Sequence, residues 1–134
     1  MWDVVRSLFH DAEAGGFFDT PADGEQLLVR QKSTYDAATP SGNGATALLG
    51  LWLDRYFGRR DGAAYAREVI AMTSDLLQRA PGGFGVIWQC IELLDAAPRE
   101  LVITGNVDER RPFERLVAGR YDPWLVLAPE TGAA

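Results

Sequence analysis

Apolar residues recur at helical spacing along much of the chain. Val5, Leu8 and Phe9 follow i, i+3, i+4 and predict a short helix over residues 2–10, halted by Ala14-Gly15-Gly16. Phe17-Phe18-Asp19-Thr20 predicts an extended stretch, closed by the turn residues Pro21-Ala22-Asp23-Gly24. Glu25 to Arg30 fits a helix and a strand equally. Residues 31–44 carry neither period and predict a long irregular loop, the kind of segment that often holds function. A helix follows over 45–57, with Leu48, Leu49, Trp52 and Tyr56 on one stripe and Gly58 at its end. Arg59-Arg60-Asp61-Gly62 predicts a tight turn. The next helix, over 64–79, has the stripe Tyr65, Val69, Met72 and Leu76, widened by Ala66, Ile70 and Leu77, and stops before Pro81. A third runs over 84–96, with Phe84, Ile87, Cys90, Ile91 and Leu94 inward and Val86 and Trp88 widening that face. Amphipathic helices joined by short links predict antiparallel helix pairs.

The pattern changes at Pro98. Two β-prone runs, near 100–104 and 124–128, flank a helical stretch from Asp108 to Val117. They predict a strand–helix–strand unit with parallel strands and a right-handed crossover. Thr131 to Ala134 reads as a loose tail. The expected fold is mainly α, with residues 1–97 as helical hairpins and 98–134 as a small βαβ appendage of the same compact unit.

The composition is that of a globular protein, with 134 residues, 47% hydrophobic and 24% charged. No apolar run reaches the ~18 residues of a membrane span. No basic stretch followed by an apolar core marks a signal peptide at the N-terminus, so a cytoplasmic location is expected. A net charge of −6 argues against general attraction to nucleic acid. The charge is uneven. Asp3, Asp11, Glu13, Asp19, Asp23 and Glu25 oppose only Arg6 in the first 29 residues, whereas Arg30, Lys32, Arg55, Arg59 and Arg60 outnumber Asp36 and Asp54 over 30–60.

Candidate chemistry concentrates in the irregular loop. Arg30, Lys32, Tyr35, Asp36, Ser41 and Asn43 fall within fourteen positions and run into a helix N-terminus, where unpaired N–H groups favour anions or hydroxyl oxygens. Ser41 and Asn43 are also strong N-cap types, and Asp36 is placed to brace the loop against Lys32 or Arg30. Elsewhere the residues read as structural. His10 is the only histidine and reads as a surface or boundary residue. Cys90 is the only cysteine, lies mid-helix among apolar neighbours and reads as core. Gly82-Gly83-Phe84-Gly85 lacks the strand and Gly-Lys-Ser/Thr of a phosphate loop, and Thr104-Gly105-Asn106 lacks the dinucleotide spacing; both read as turns. No cofactor and no metal set is expected.

Three strings in this order carry a resemblance: Gly15-Gly16-Phe17-Phe18-Asp19-Thr20, then Leu28-Val29-Arg30-Gln31-Lys32, then Tyr35-Asp36-Ala37-Ala38-Thr39-Pro40-Ser41-Gly42-Asn43. With the closing segment Pro98 to Gly105, they resemble the C-terminal part of a family of thioredoxin-domain-containing proteins that includes the spermatogenesis-associated member of animals. The order and spacing match over nearly the whole chain. The resemblance implies the closing hairpins of a six-hairpin α/α toroid, similar to those of N-acylglucosamine 2-epimerases and several glycosidases. The chain would then be the last fifth or so of such a protein. Three positions depart from the family pattern. Gln31 stands for a proline. Ala37 stands for a glycine, at a cost of roughly 1 kcal/mol if φ is positive there. Gly44 stands for a common serine.

Two functions follow from the resemblance. As a scaffold or binding module, the chain would complete a toroid with its remaining hairpins or self-associate, with Trp52, Tyr56, Trp88 and Trp124 as apolar flanks. As a carbohydrate-active module, epimerase-like or glycosidase-like, it would use Asp36 and Asp19 as catalytic carboxylates. Tyr35 would be a stacking platform for a sugar-like molecule, with Arg30, Lys32, Ser41 and Asn43 as further ligand-binding residues. The scaffold role is the expectation for the isolated chain.

Overall fold

The computed structural model describes residues 1–25 and 28–129. Part of the ambiguous Glu25–Arg30 stretch and the expected tail Thr131–Ala134 lie outside the described residues. The chain divides into two compact units, Met1–Ala96 and Ala97–Ala134.

The first unit is helical. Its helices are α1 (Trp2–Phe9), α2 (Gly42–Phe57), α3 (Gly62–Arg79) and α4 (Gly85–Asp95), with a 3-10 turn Pro81–Gly83 before α4. Helix α2 packs against both α3 and α4. It begins three residues earlier than the periodicity predicts because Ser41 caps it, accepting a bond from the Gly44 N–H at 3.2 Å. It ends at Gly58, whose φ of 63° is the left-handed conformation that terminates a helix. Asp54 and Arg55 of α2 then cap its neighbours. Asp54 accepts from the N–H groups of Gly62 and Ala63 at 3.0 and 2.8 Å, at the start of α3. Arg55 donates to the carbonyls of Leu93 and Ala96, at the end of α4.

The buried face of α2 differs from the predicted one. It consists of Asn43, Gly44, Ala47, Gly50 and Leu51, whereas Leu49 and Tyr56 are exposed (42% and 55%). The reason is the close approach of its neighbours. A Cβ on Gly62 would stand 2.0 Å from the Gly50 carbonyl oxygen, and one on Gly44 would stand 3.2 Å from Val86 of α4. Only small residues allow helix axes to come this near. Trp2 of α1 roofs the crossing, buried and 3.0 Å from where a Gly50 Cβ would lie, with its indole N–H on Asp61 at 3.1 Å.

The other two helices correct smaller points. On α3 the core residues are Gly62, Ala66, Val69, Thr73 and Leu77, while Leu76, placed on the stripe, is 45% exposed. On α4 they are Ile87, Cys90 and Leu93 rather than Leu94, and Trp88 faces outward at 45% exposure.

Among the described residues between α1 and α2, the regular pairing is one antiparallel bridge, His10 with Phe17. The bridge takes in only Phe17 of the extended stretch expected over Phe17–Thr20, and the chain bends at Asp19 and Thr20. The turn between its arms uses Gly15 and Gly16, both at positive φ.

In the second unit, β1 (Arg99–Ile103) and β2 (Leu125–Pro129) pair in parallel, from Arg99 opposite Leu125 to Ile103 opposite Pro129. Helix α5 (Val107–Ala118) connects them. It starts with a capping box: the Asn106 side chain accepts from the N–H groups of Asp108 and Glu109, and the Glu109 carboxylate accepts from the Asn106 N–H. Thr104-Gly105-Asn106 is thus a helix-starting turn, as its composition suggests. No helix among the described residues is long and apolar enough to cross a membrane.

Candidate functional site

The candidate residues divide into a clamp, a brace and a cleft. The clamp is Asn43, fully buried on the first turn of α2. Its Oδ1 accepts from the Phe17 N–H at 2.7 Å, and its Nδ2 donates to the carbonyls of Phe17 (2.8 Å) and Ser33 (3.0 Å). Its backbone N–H donates to the same Ser33 carbonyl at 3.2 Å. The amide therefore uses three of its hydrogen-bonding sites on main chain. Gly16 must be glycine beside it, since a Cβ there would sit 2.8 Å from Asn43 Oδ1 and 2.7 Å from Met72 Cε.

The brace is Asp36. One carboxylate oxygen accepts from the Ser41 N–H at 2.8 Å and the other from the Val86 N–H at 2.9 Å. Its own N–H donates to the Gly83 carbonyl at 2.8 Å. Asp36 thus ties the loop to the N-terminus of α4, where the helix dipole favours a carboxylate. Burial works against the charge, but the backbone donors at Ser41 and Val86 outweigh it and hold the carboxyl below the usual aspartate range. A group so held is a poor proton donor at neutral pH, where a general acid needs a raised pKa. Tyr35, beside it, is 60% exposed and meets Phe84 edge-on at 5.6 Å. Its ring fills the space over Gly83, where a Cβ would stand 1.9 Å away. Among the described residues no non-glycine has positive φ, so Ala37 bears none of the strain considered for it.

The two cations of the loop are also engaged. The Arg30 guanidinium lies 4.0 Å over the Phe18 ring and donates to the carbonyls of Leu8, at 3.0 Å, and Thr20. Lys32 Nζ stands 2.6 Å from both the Asp11 carboxylate and the Gly15 carbonyl, and 4.9 Å from the centre of Phe18. The hydrogen bond to Lys32, with the N–H groups of Ala14 and Glu13, pulls the Asp11 carboxyl down to about 2.

Asp19 occupies a different place from Asp36. Its two oxygens accept from the Ser33 N–H (3.0 Å) and hydroxyl (2.6 Å). It lines an open cleft of about 270 Å3 with Val5, Phe9, Phe17, Phe18, Gly42 and Thr46. The cleft is apolar except for Asp19, Thr46 and the start of α2. A second cleft, about 350 Å3, is bordered by His10, Asp11, Glu13 and Glu68. There His10 Nε2 lies 2.8 Å from Glu68 Oε2, and the imidazole packs on Phe17 and Tyr65. No sequence signal links these two residues, which stand 58 positions apart. Cys90 is buried in the core, and burial, with the charge of Asp36 added, pushes its thiol up to about 12. Among the described residues no three histidine, cysteine or acidic side chains converge as a metal site.

Comparison with known proteins finds no matching family model, no matching curated protein and no matching solved structure.

Proposed function

We propose that this chain is a scaffold or binding module: C-terminal helical hairpins, of the kind that close a six-hairpin α/α toroid in the thioredoxin-domain-containing family, joined to a small βαβ appendage. It works by joining further helices and not by turning over a substrate alone. The observation that carries this reading is Asp36. Both of its oxygens are committed to backbone N–H groups of the fold. Ser41 and Asn43 also accept from backbone N–H groups, Arg30 and Lys32 donate to backbone carbonyls, and Lys32 pairs with Asp11, so the polar loop holds the unit together. The exposed aromatics Tyr56, Phe57 and Trp88 supply apolar surface for partners.

The test is Asp36→Asn, read by thermal unfolding together with binding of an apolar dye. An amide in place of the carboxylate has one acceptor oxygen for two N–H groups. The melting midpoint should fall by about 5 °C or more, while the wild-type protein binds the dye. An unchanged midpoint, or a wild-type protein that ignores the dye and stays monomeric, would refute the reading.

One observation favours a second reading, a carbohydrate-active module completed by other hairpins. Asp19 faces a cleft walled by Phe9, Phe17 and Phe18, an aromatic surface with one carboxylate. With the missing hairpins supplied, titration with neutral monosaccharides should then give saturable heat that Asp19→Asn abolishes. No heat with either protein rejects it.

A further inference from the structure

The cleft beside Asp19 lies between α1, the Phe17-Phe18-Asp19 segment and the first turns of α2. Its lining is mostly hydrocarbon. Phe17 is buried in its wall, and Val5, Phe9 and Phe18 are half-buried along it. The polar side chains that line it are those of Asp19 and Thr46. Asp19 differs from Asp11 and Asp36 in its partners. Asp11 pairs with Lys32, and Asp36 is held by two backbone N–H groups. Asp19 accepts from the Ser33 N–H and hydroxyl, one bond on each oxygen, and among the described residues no lysine or arginine pairs with it. Arg30 and Lys32 stand over Phe18, but their bonds go to the Leu8, Thr20 and Gly15 carbonyls and to Asp11. A carboxylate oxygen takes two donors, so each oxygen of Asp19 keeps an acceptor site. Its position is fixed in advance. The Asp19 N–H donates to the Gln31 carbonyl, and the Phe18 N–H to the Phe9 carbonyl, both at 2.8 Å.

We propose that this cleft binds a small arylalkyl ammonium ion, with the ammonium group on Asp19 and the carbon body against the phenylalanines. This is a function beyond the scaffold role, at residues that role does not use, and it competes with the carbohydrate reading for the same cleft. The choice of ligand follows from charge. A neutral apolar molecule would cover the Asp19 carboxylate with nothing in place of its water, and an anion would add repulsion. A sugar would bring several hydroxyls to a wall that is mostly hydrocarbon. An ammonium group answers the carboxylate with a charge-assisted hydrogen bond. Aromatic faces attract a cation as well, as Arg30 and Lys32 already show at Phe18. A volume of about 270 Å3 is at the lower edge for small-molecule pockets and suits one ring with a short chain. The cleft is open and Asp19 exposed, so binding is weak, with a Kd of about 0.5 mM.

The test is a titration of the whole chain with phenethylamine, phenethyl alcohol and phenylacetate, which share one body and differ in charge, read by backbone amide NMR shifts. Phenethylamine should shift the amides of Phe18, Asp19 and Thr46 saturably. The alcohol and the carboxylate should bind at least about tenfold more weakly. Asp19→Asn should weaken the amine by about tenfold and leave the alcohol unchanged. Thr46→Phe, at a half-buried helical position, fills the cleft without touching the Ser33 bonds and should abolish binding. It decides the case with the alcohol comparison if Asp19→Asn loses its fold. An alcohol that binds as well as the amine overturns the proposal. So does full affinity in either variant, or a titration without shifts. Shifts from glucose with none from phenethylamine overturn it and leave the carbohydrate reading standing. A lowered melting midpoint in Asp36→Asn with no amine bound overturns the site alone and leaves the scaffold reading intact.

Discussion

The carboxamide of Asn43 pairs with the main chain of Phe17 as a neighbouring strand would, accepting from its N–H at 2.7 Å and donating to its carbonyl at 2.8 Å. This joins the Gly15-Gly16-Phe17-Phe18 string to the Pro40-Ser41-Gly42-Asn43 string, 26 residues apart. It gives a physical reason for the two to occur together. The turn at Gly16 brings Phe17 to α2, and only an amide at position 43 both accepts from and donates to it.

Asn43→Ala should therefore be among the most damaging polar substitutions in the chain. It leaves the Phe17 N–H and carbonyl buried without partners, for a loss of about 3 kcal/mol, measurable by urea unfolding. Asn43→Asp should do no better. A carboxylate accepts from Phe17 N–H but meets the Phe17 and Ser33 carbonyls with no donor, and it buries a charge. A loss under about 0.5 kcal/mol in both would show that the clamp is dispensable.

Three glycines should respond differently to alanine. Gly62→Ala drives a methyl into the Gly50 carbonyl and should force α2 and α3 apart, costing about 3 kcal/mol or more. Gly58→Ala meets no atom but must hold a left-handed φ, costing about 1 kcal/mol. Gly82→Ala meets nothing and has no special φ, so its midpoint should stay within the measurement error. Differential scanning calorimetry of the three orders them.

Acid should weaken the fold through Asp36 and Asp11. Both carboxyls lie lower in the folded chain than the ~3.9 of a free aspartate. Their contribution is thus complete above about pH 4 and is lost as pH falls through the folded values, toward about 2 for Asp11. Unfolding free energy should drop over that window. In Asp36→Asn the drop should be shallower, since one of the three carboxyls held low in the fold, with Asp11 and Asp61, is gone. An identical slope in wild type and variant would remove Asp36 from the account.

Cys90 should be silent to thiol reagents in the folded chain. Its thiol is buried and, with its pKa near 12, is almost wholly protonated at pH 8. Labelling should follow the opening of the first unit, and Asn43→Ala should speed it in proportion to its loss of stability. Rapid labelling of the wild-type protein at low denaturant would contradict the burial.

The hydrophobic periods determined where the helices and strands lie, and residue chemistry determined their ends. Gly58 stops α2, Asn106 and Glu109 start α5, and the period change at Pro98 separates the two units. These are local effects, readable within one turn of chain. The role of each face was decided only in three dimensions. Leu49 and Tyr56 lie on the stripe read for α2, yet both are exposed, because the inner contact depends on Gly44 and Gly50. Glycine has no side chain to enter a hydrophobic pattern, and its worth shows only when another helix reaches it. The loop residues followed the same rule. Their polarity marked the segment as special, but a carboxylate that binds a sugar and one that holds two N–H groups look alike in sequence. What Asp36 bonds shows only in the structure, because the Val86 N–H lies fifty residues away along the chain.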